Sequence, residues 1–465
     1  MANLGIIISL VFVVVTAMLL LRKYNPHAVL LFSGLLMLLV AEILNFKMPT
    51  LKDPTGFSGF DLFRYIKESF SKTNAGVGLM IMAIGGFVAY IDKIGASKAL
   101  VFIAMKPLRF FKKRPYIAAS LVIPIGQILF VAIPSAAGLS LLLMASLFPI
   151  LVNLGVSKLS AVSVITATTA FGIGPASAIT ASATTVADID VIEYFLGYQI
   201  PLVYPLTISM MITYYFVNRY FDKKEALKSD DDKIVVKVEE AAEEKKNEVE
   251  IKAPLIYAII PVLPIILLIV FSEIFSIFPS SISLDTTTAM FISLFIALVF
   301  EFIRKRKIKE VMDSLKIFWN GMGNIFKTVV TLIITADIFA KGLISLGFID
   351  GLISISQNLG FGAVGIGIVM CVMIFLASML MGSGNASFFA FGPLVPKIAK
   401  SLGVESTSII LPMNLAASMG RTVSPVAGVI IATAEIAGVT TLQIVKRNLI
   451  PLGIALIIML LYHFI

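Results

Sequence analysis

The residues most able to do chemistry in this chain are small polar side chains set among glycines and prolines. They occur in two diverged copies of one segment, at residues 134–188 and 382–438. Each copy opens with a small-residue turn, at 134–138 and 382–386, and is later interrupted by Gly and Pro. Hydrophobic helices interrupted in this way at matching positions of two halves typically mark the binding site of a secondary transporter. The interruptions, at 171–175 and 420–425, free backbone groups that only protein or a wet cavity can satisfy at membrane depth.

The predicted turns and interruptions would bring several helix ends together. Helix N-termini offer N–H groups and partial positive charge to an anion, whereas C-termini offer carbonyls to a cation. Hydroxyl and amide side chains bind carboxylate oxygens without filling a cavity. The alternative is that the small residues only allow close helix packing. The predicted substrate-binding residues are Ser135, Ala136, Ala137, Gly138, Thr169, Ser177, Gly382, Ser383, Gly384, Asn385, Arg421, Thr422 and Ser424.

Arg421 is the only base inside the two turns and two interruptions. An arginine at membrane depth is costly and usually lines a cavity. Its planar guanidinium matches a carboxylate with two parallel hydrogen bonds. We therefore hypothesise that Arg421 binds one carboxylate of a dianion, while Ser383, Asn385 and the turn at 135–138 hold the other. The alternative is an arginine that caps backbone carbonyls or reaches a membrane surface.

Composition indicates a membrane protein. Of the 465 residues 58% are hydrophobic and 14% are charged, and the mean hydropathy is +0.98. A soluble domain has about 25% charged residues. The first apolar run, 4–21, is long enough to span a bilayer and too long for a signal peptide. Cys371 is the only cysteine, so we expect no disulfide and no thiol metal site.

The fold class predicted is an all-α polytopic membrane protein built as an inverted repeat. Each half has five transmembrane helices, one of them broken, and one re-entrant helical hairpin. The first membrane repeat is 1–221, with its hairpin at 115–153 and its broken helix at 157–188; the second is 253–465, with its hairpin at 362–403 and its broken helix at 405–438. The predicted spans are 4–21, 28–46, 75–95, 157–188, 200–218, 254–276, 285–303, 324–346, 405–438 and 449–464.

Residues 222–252 separate the repeats. This segment holds 11 of the 28 acids and 8 of the 37 bases, so we predict a solvated linker that is dispensable for transport. With hairpins that enter and leave on one side, the bases at 22–23, 106–114, 219–228, 304–307 and 446–447 fall on the same side. The positive-inside rule then makes that side, and the linker, cytoplasmic. Residues 57–70 mix charged and aromatic side chains and are expected at the membrane interface.

Few other charges lie in the predicted spans. Asp337 and Lys341 are four residues apart, which favours an ion pair over an ion relay. Glu42 and Glu301 end corresponding helices, where capping or exposure is expected, and Glu435 lies near a helix end. Enzyme chemistry is not indicated: His27 and His463 are the only histidines, and no HExxH or nucleotide-binding glycine loop is present.

The chain resembles the DcuC-type anaerobic C4-dicarboxylate carriers of the ion-transporter superfamily. The resemblance rests on residues 135–139, 141–149, 382–386 and 420–425, and on Val445-Lys446-Arg447. It extends over nearly the whole chain and implies uptake, exchange or efflux of fumarate, succinate, malate or aspartate. It also implies a homodimer with a scaffold domain and a moving transport domain, which suggests an elevator-like alternating-access mechanism. In the family the first interruption usually reads Pro-Thr-Ser-Gly-Asp, whereas here residues 175–179 read Pro-Ala-Ser-Ala-Ile and lack the acid.

The function predicted is therefore secondary active transport of a small dicarboxylate across the bacterial inner membrane. The lipid bilayer, the dicarboxylate and a second copy of the chain are the expected partners; nucleic acid and resident cofactors are not expected, and Na⁺ or H⁺ are candidate coupling ions. One alternative is a cation/proton antiporter or a carrier of another small organic anion on the same architecture. Another is a membrane enzyme or scaffold. The sequence leaves open the dicarboxylate, symport against antiport, the coupling ion and the direction.

Overall fold

The computed structural model describes residues 2–111, 114–229, 253–272, 282, 284–358 and 362–464. Every regular element in these ranges is a helix. Eight of the helices are long and apolar enough to cross a membrane. The prediction of an all-α polytopic membrane protein is therefore confirmed.

The first half follows the predicted order of spans, with a further helix before the third one. Asn25 begins the second helix, because its side chain accepts hydrogen bonds from the N–H groups of His27 and Ala28 and Pro26 occupies the first helical position. The helices are Ala2–Leu21, Pro26–Ile43, Ser58–Ala75, Val77–Ile94, Ala96–Met105 with the 3₁₀ turn Lys106–Phe111, Pro115–Ala132, Ala136–Ser146, Phe148–Asn153, Lys158–Ala167, Ala178–Ala187, and the continuous run Val191–Glu193, Tyr194–Gln199 (π) and Ile200–Ser229.

The second half repeats this order. Its helices are Leu255–Val262 (3₁₀), Leu263–Val270, Thr286–Lys305, the continuous run Ile308–Ile325, Phe326–Val330 (π) and Thr331–Ser345, then Phe348–Asn358, Ala363–Met381, Gly384–Phe391, Gly392–Leu394 (3₁₀), Val395–Leu402, Ser406–Thr422, Gly428–Ala437 and Thr441–Phe464. Residues 273–276 of the predicted span 254–276 lie outside the described residues.

The predicted interruptions occur where glycine, proline and polar residues stop the helices. The first hairpin, 115–153, turns at 133–135, and the second, 362–403, turns at 382–383. The first broken helix is unwound at 168–177, here called the first break. The second is unwound at 423–427, here called the second break. Because the leading helices Pro115–Ala132 and Ala363–Met381 are long enough to cross a bilayer, re-entry of the hairpins stays a prediction.

The two halves pack against each other through reciprocal contacts of equivalent helices. Pro26–Ile43 packs on Thr331–Ser345, and Thr286–Lys305 packs on Val77–Ile94. Ser58–Ala75 also contacts Thr331–Ser345, just as Ile308–Ile325 contacts Val77–Ile94. Such reciprocal pairs are what the predicted two-fold repeat requires. They also make Ser58–Ala75 the counterpart of Ile308–Ile325, which carries the exposed Trp319.

The boundary that we placed at residue 222 lies inside a helix. Ile200–Ser229 continues past it because Asp222 and Glu225 bind Arg447, which is only 2% exposed. Asp222 also accepts hydrogen bonds from Tyr116, Ser157 and Ser160. Arg447, which the topology argument treated as a loop charge, is thus a buried helix residue that joins the last helices of the two halves. Residues 230–252 of the predicted linker lie outside the described residues.

We predict different outcomes for two replacements by a Gly/Ser chain of equal length. Replacing 230–252 should leave transport and thermal stability unchanged, because this part of the linker has too little apolar surface to pack. Replacing 222–252 should destabilise the protein by about 3–5 kcal/mol, because Arg447 would be left buried without its acids. Thermal unfolding in detergent separates the two variants. Equal stability of both would show that the Arg447 cluster does not hold the helices together.

Candidate functional site

The two hairpin turns have the same capping chemistry. Ser135 adopts extended backbone and accepts a hydrogen bond from the N–H of Gly138 at 3.1 Å. Ser383 does the same for the N–H of Ala386 at 3.2 Å. Ala136, Ala137 and Gly138 form the first turn of the helix that follows Ser135, and Gly384 and Asn385 form the first turn after Ser383. We call residues 134–138 the first tip and 382–386 the second tip.

Each hairpin packs against the broken helix of the other repeat. Ala136–Ser146 contacts Gly428–Ala437, and Gly384–Phe391 contacts Ala178–Ala187. The second tip also touches the second break of its own repeat: Gly382 has a left-handed φ of +72°, and a Cβ there would lie 2.9 Å from the backbone N of Ala427. Glycine is therefore required at this close approach. The packing brings the second tip, the second break and the first broken helix into one region.

A buried amide network satisfies the unwound backbone of the first break. The side-chain oxygen of Gln199 accepts from the N–H of Gly174 at 3.0 Å, and its amide group donates to Thr180 and to Asn414 at 3.0 and 2.7 Å. Asn414 in turn donates to the carbonyl of Gly172 at 3.2 Å. Gln199 and Asn414 are both fully buried. Our sequence analysis missed them, although an isolated amide in an apolar helix was the available signal.

Arg421 crosses from the second broken helix to the first break. It occupies the last turn of Ser406–Thr422, beside the second break rather than within it. Its Nη2 donates to the backbone carbonyl of Thr169. Its Nε is buried and has no hydrogen-bond partner within the described residues. The carbonyl contact is the capping role that we considered as an alternative, while the Nε–H remains available to an acceptor.

The threonines predicted to bind substrate have already donated their hydroxyl hydrogens. Thr169 donates to the carbonyl of Thr166 at 3.1 Å, and Thr422 donates to that of Ser418 at 3.0 Å. Threonine commonly bonds to the preceding helical turn in this way. Their hydroxyls therefore have no hydrogen left for a carboxylate, so the structure does not support them as side-chain donors to an anion.

The serines retain that hydrogen. Ser135, Ser383 and Ser424 accept bonds from backbone N–H groups, and a hydroxyl that accepts one bond still donates another. Ser177 precedes Ala178–Ala187 without capping it through its side chain, so that helix N-terminus keeps unpaired N–H groups. The half-buried amide of Asn385 makes no side-chain hydrogen bond within the described residues. These groups are therefore candidate donors to an anion.

Two further residues near the tips and breaks were missed. Ser418 has a buried hydroxyl oxygen without a partner in the described part of the chain, and a Cβ on Gly172 would lie 2.5 Å from it. Asp92 binds Ser97, and one of its carboxylate oxygens lies 3.9 Å from the Cβ position of Gly138 at the first tip. The candidate groups are therefore several neutral donors, one guanidinium and, beside the first tip, an acid.

The chain is similar to known proteins over nearly its whole length. The family model described as C4-dicarboxylate anaerobic carrier matches residues 4–465. The chain belongs to this family. Over 456 residues it is 33% identical to the anaerobic C4-dicarboxylate transporter DcuC of Escherichia coli K12, covering 98% of this chain and 95% of that protein. Over 458 residues it is also 33% identical to a probable DcuC transporter of Vibrio cholerae, covering 98% and 96%.

The crystal structure of the Alcanivorax borkumensis YdaH transporter has a similar fold. The TM-score is 0.57 at 12% identity, and the match covers 94% of this chain and 98% of that one. As a member of the C4-dicarboxylate anaerobic carrier family, the protein is a multi-pass membrane transporter and not an enzyme. Among the described residues, no group of three or more His, Cys, Asp or Glu side chains is arranged to hold a metal ion.

Other charges in this carrier lie in structural contacts. Asp337 pairs with Lys341, as predicted, and also accepts a hydrogen bond from Ser69 at 2.6 Å. Glu301 is 1% exposed and is bound by Tyr257, Arg304 and Lys305, so it is a buried ion-pair partner rather than an exposed helix end. Glu435 is exposed at its helix end.

A pair of glycines in the second broken helix provides a test of this packing. A Cβ on Gly420 would overlap the backbone carbonyl oxygen of Phe375 in the second hairpin, whereas a Cβ on Gly428 would meet nothing within 4 Å. We predict that Gly420→Ala destabilises the protein by about 1–3 kcal/mol through overpacking. Gly428→Ala, the matched control, should be neutral. Thermal unfolding in detergent checks both, and equal stability would contradict the close approach of hairpin and broken helix.

Proposed function

We propose that this protein is a secondary active carrier of C4-dicarboxylates in the bacterial inner membrane. Family membership and the relatives' names, which specify C4-dicarboxylates, support the substrate class. Fumarate, succinate, malate and aspartate are the proposed substrates. Two separated carboxylates on a short chain fit a site that offers one guanidinium and, apart from it, several neutral donors.

The observation that carries this proposal is the position of Arg421. Its guanidinium lies beside the second break, bonds to the carbonyl of Thr169 in the first break, and keeps a buried Nε–H without a protein acceptor. An arginine with unmet donors at membrane depth favours an anionic ligand. A cation carrier would instead need acidic ligands at this point.

The second carboxylate is assigned to the neutral donors. Ser383 and Asn385 at the second tip supply a hydroxyl and an amide, and the first tip supplies Ser135. The uncapped N-terminus of Ala178–Ala187 adds backbone N–H groups and partial positive charge. Ser177 and Ser424 complete this donor set, and Thr169 contributes its carbonyl to Arg421 rather than its hydroxyl to the substrate.

The mechanism proposed is alternating access by an elevator-like movement in a homodimer. The hairpins and broken helices would form the moving body, with the linker on the cytoplasmic side. The reciprocal packing of the two halves supports an inverted repeat, which would give inward-facing and outward-facing states of similar energy. Exchange or coupling to Na⁺ or H⁺ would complete the cycle. Asp92 lies near the first tip and could bind a cation. For this reason the experiment below also tests cation coupling and the antiporter alternative.

We predict that Arg421→Ala abolishes exchange of labelled succinate in proteoliposomes. Losing a buried charged partner costs about 2–5 kcal/mol. Arg421→Lys should also fail, because an ammonium lacks the planar fork. Asn385→Ala should weaken exchange as well. Arg22→Ala, which removes an exposed arginine from a loop, is the control and should exchange normally.

Each variant is first checked for normal insertion and a single peak in size exclusion. Near-native succinate affinity in folded Arg421→Ala would mean that the arginine only caps Thr169 and that the substrate binds elsewhere. Absence of dicarboxylate flux in the wild type, together with a flux of cations driven by a pH gradient, would favour the antiporter alternative.

A further inference from the structure

A polar pocket lies away from the tips and breaks. Its volume is about 480 Å³, within the range of about 300–1,000 Å³ typical of small-molecule sites. It is enclosed by the loop after Pro26–Ile43, the end of Thr331–Ser345, the start of Phe348–Asn358 and the last helix of the second hairpin, Val395–Leu402. We call it the lysine pocket, because Lys47, Lys341 and Lys397 line it together with a single acid, Asp350.

The charges of the lysine pocket are only partly compensated. Lys397 pairs with Asp350 at 3.3 Å, and Lys341 pairs with Asp337. Lys47 is exposed and has no ion-pair partner within the described residues. Asp350 and Asp337 therefore offset two of the three lysines, and Lys47 leaves the pocket with one uncompensated positive charge. A pocket with this balance attracts anions.

An independent feature also points to a ligand. Ser345 is only 6% exposed, lines the pocket, and has a hydroxyl oxygen without a hydrogen-bond partner in the described part of the chain. Buried hydroxyls are usually paired, so an orphaned one in a pocket needs an explanation. A carboxylate oxygen accepting from Ser345, with lysines beside it, would supply the missing partner.

We infer that the lysine pocket is a second, vestibular binding site for the dicarboxylate, distinct from the site at Arg421. This inference rests on the proposed function, since it takes the cargo to be a dicarboxylate. Lys397 lies twelve residues after Asn385 in the same hairpin, which corresponds to about 18 Å of helix. The pocket thus sits at the base of the hairpin whose tip contributes to the transport site. The uncompensated Lys47, beside the paired Lys341 and Lys397, attracts dianions to one mouth of the carrier before they reach that tip.

The number of succinate molecules bound per chain tests the inference. Equilibrium dialysis of labelled succinate uses the full-length protein in nanodiscs of neutral phosphatidylcholine. The wild type is expected to bind two molecules. Arg421→Ala should lose the transport site and keep the pocket site. The double variant Lys47→Gln/Lys397→Gln should keep the Arg421 site unchanged and bind about tenfold more weakly at the pocket. Ser345→Ala, which removes the buried donor, should weaken the same site while leaving the Arg421 site unchanged.

Lys400→Gln is the matched control, because Lys400 lies in the same helix as Lys397 but does not line the pocket. A wild type that binds one succinate, lost in Arg421→Ala, would overturn the second site and leave the proposed function intact. A wild type that binds none would overturn the proposed function itself. Two sites that survive both lysine substitutions would place the second site elsewhere. A second site that binds succinate in neutral nanodiscs but not in nanodiscs of anionic phosphatidylglycerol would mean that lipid headgroups occupy the pocket in an anionic membrane. That result would overturn the inference.

Discussion

The unwound backbone of the first break is the constraint on which the rest of this architecture depends. Breaking a helix at membrane depth leaves N–H and C=O groups that lipid does not satisfy. Here Gln199 and Asn414 take over that task, and the hydrogen bond between them links one repeat to the other. The same contacts that make the break tolerable therefore determine where the second broken helix lies, and with it the position of Arg421.

Because of this constraint, the serine and threonine hydroxyls at the tips and breaks have two different roles. Threonines 168, 169 and 422 turn their hydrogens back onto helix carbonyls, which steadies the helix ends beside the breaks. The serines at the tips and in the second break accept backbone N–H groups and keep a hydrogen to donate. The site thus holds its own backbone with one set of residues and offers donors to a ligand with another. A single guanidinium adds the only positive side chain among the four predicted motifs.

Much of this arrangement followed from the sequence, for identifiable reasons. Glycine and proline stop helices locally, so the tips at 134–138 and 382–386 and both breaks could be located without coordinates. The amide network could not, because Gln199 and Asn414 are 215 residues apart and become partners only in the folded chain. The Arg447–Asp222 pair could not be predicted for a similar reason. The charge-rich composition after residue 221 indicated a solvent-exposed segment, but Asp222 is largely buried because it pairs with Arg447 in the last helix. Whether a serine or threonine hydroxyl donates to a helix carbonyl or accepts from a backbone N–H depends on local geometry. The sequence alone does not contain that geometry.

The central claim is that Arg421 forms a charge-paired contact with one carboxylate of the substrate. The most direct measurement compares succinate with its monoamide, succinamate, as inhibitors of labelled-succinate binding to the wild type and to Arg421→Ala. Removing one charge from the ligand and one from the protein forms a thermodynamic cycle that isolates their interaction. If this contact exists, the wild type prefers succinate by at least about tenfold and Arg421→Ala loses this preference. An equal preference in both proteins would contradict it.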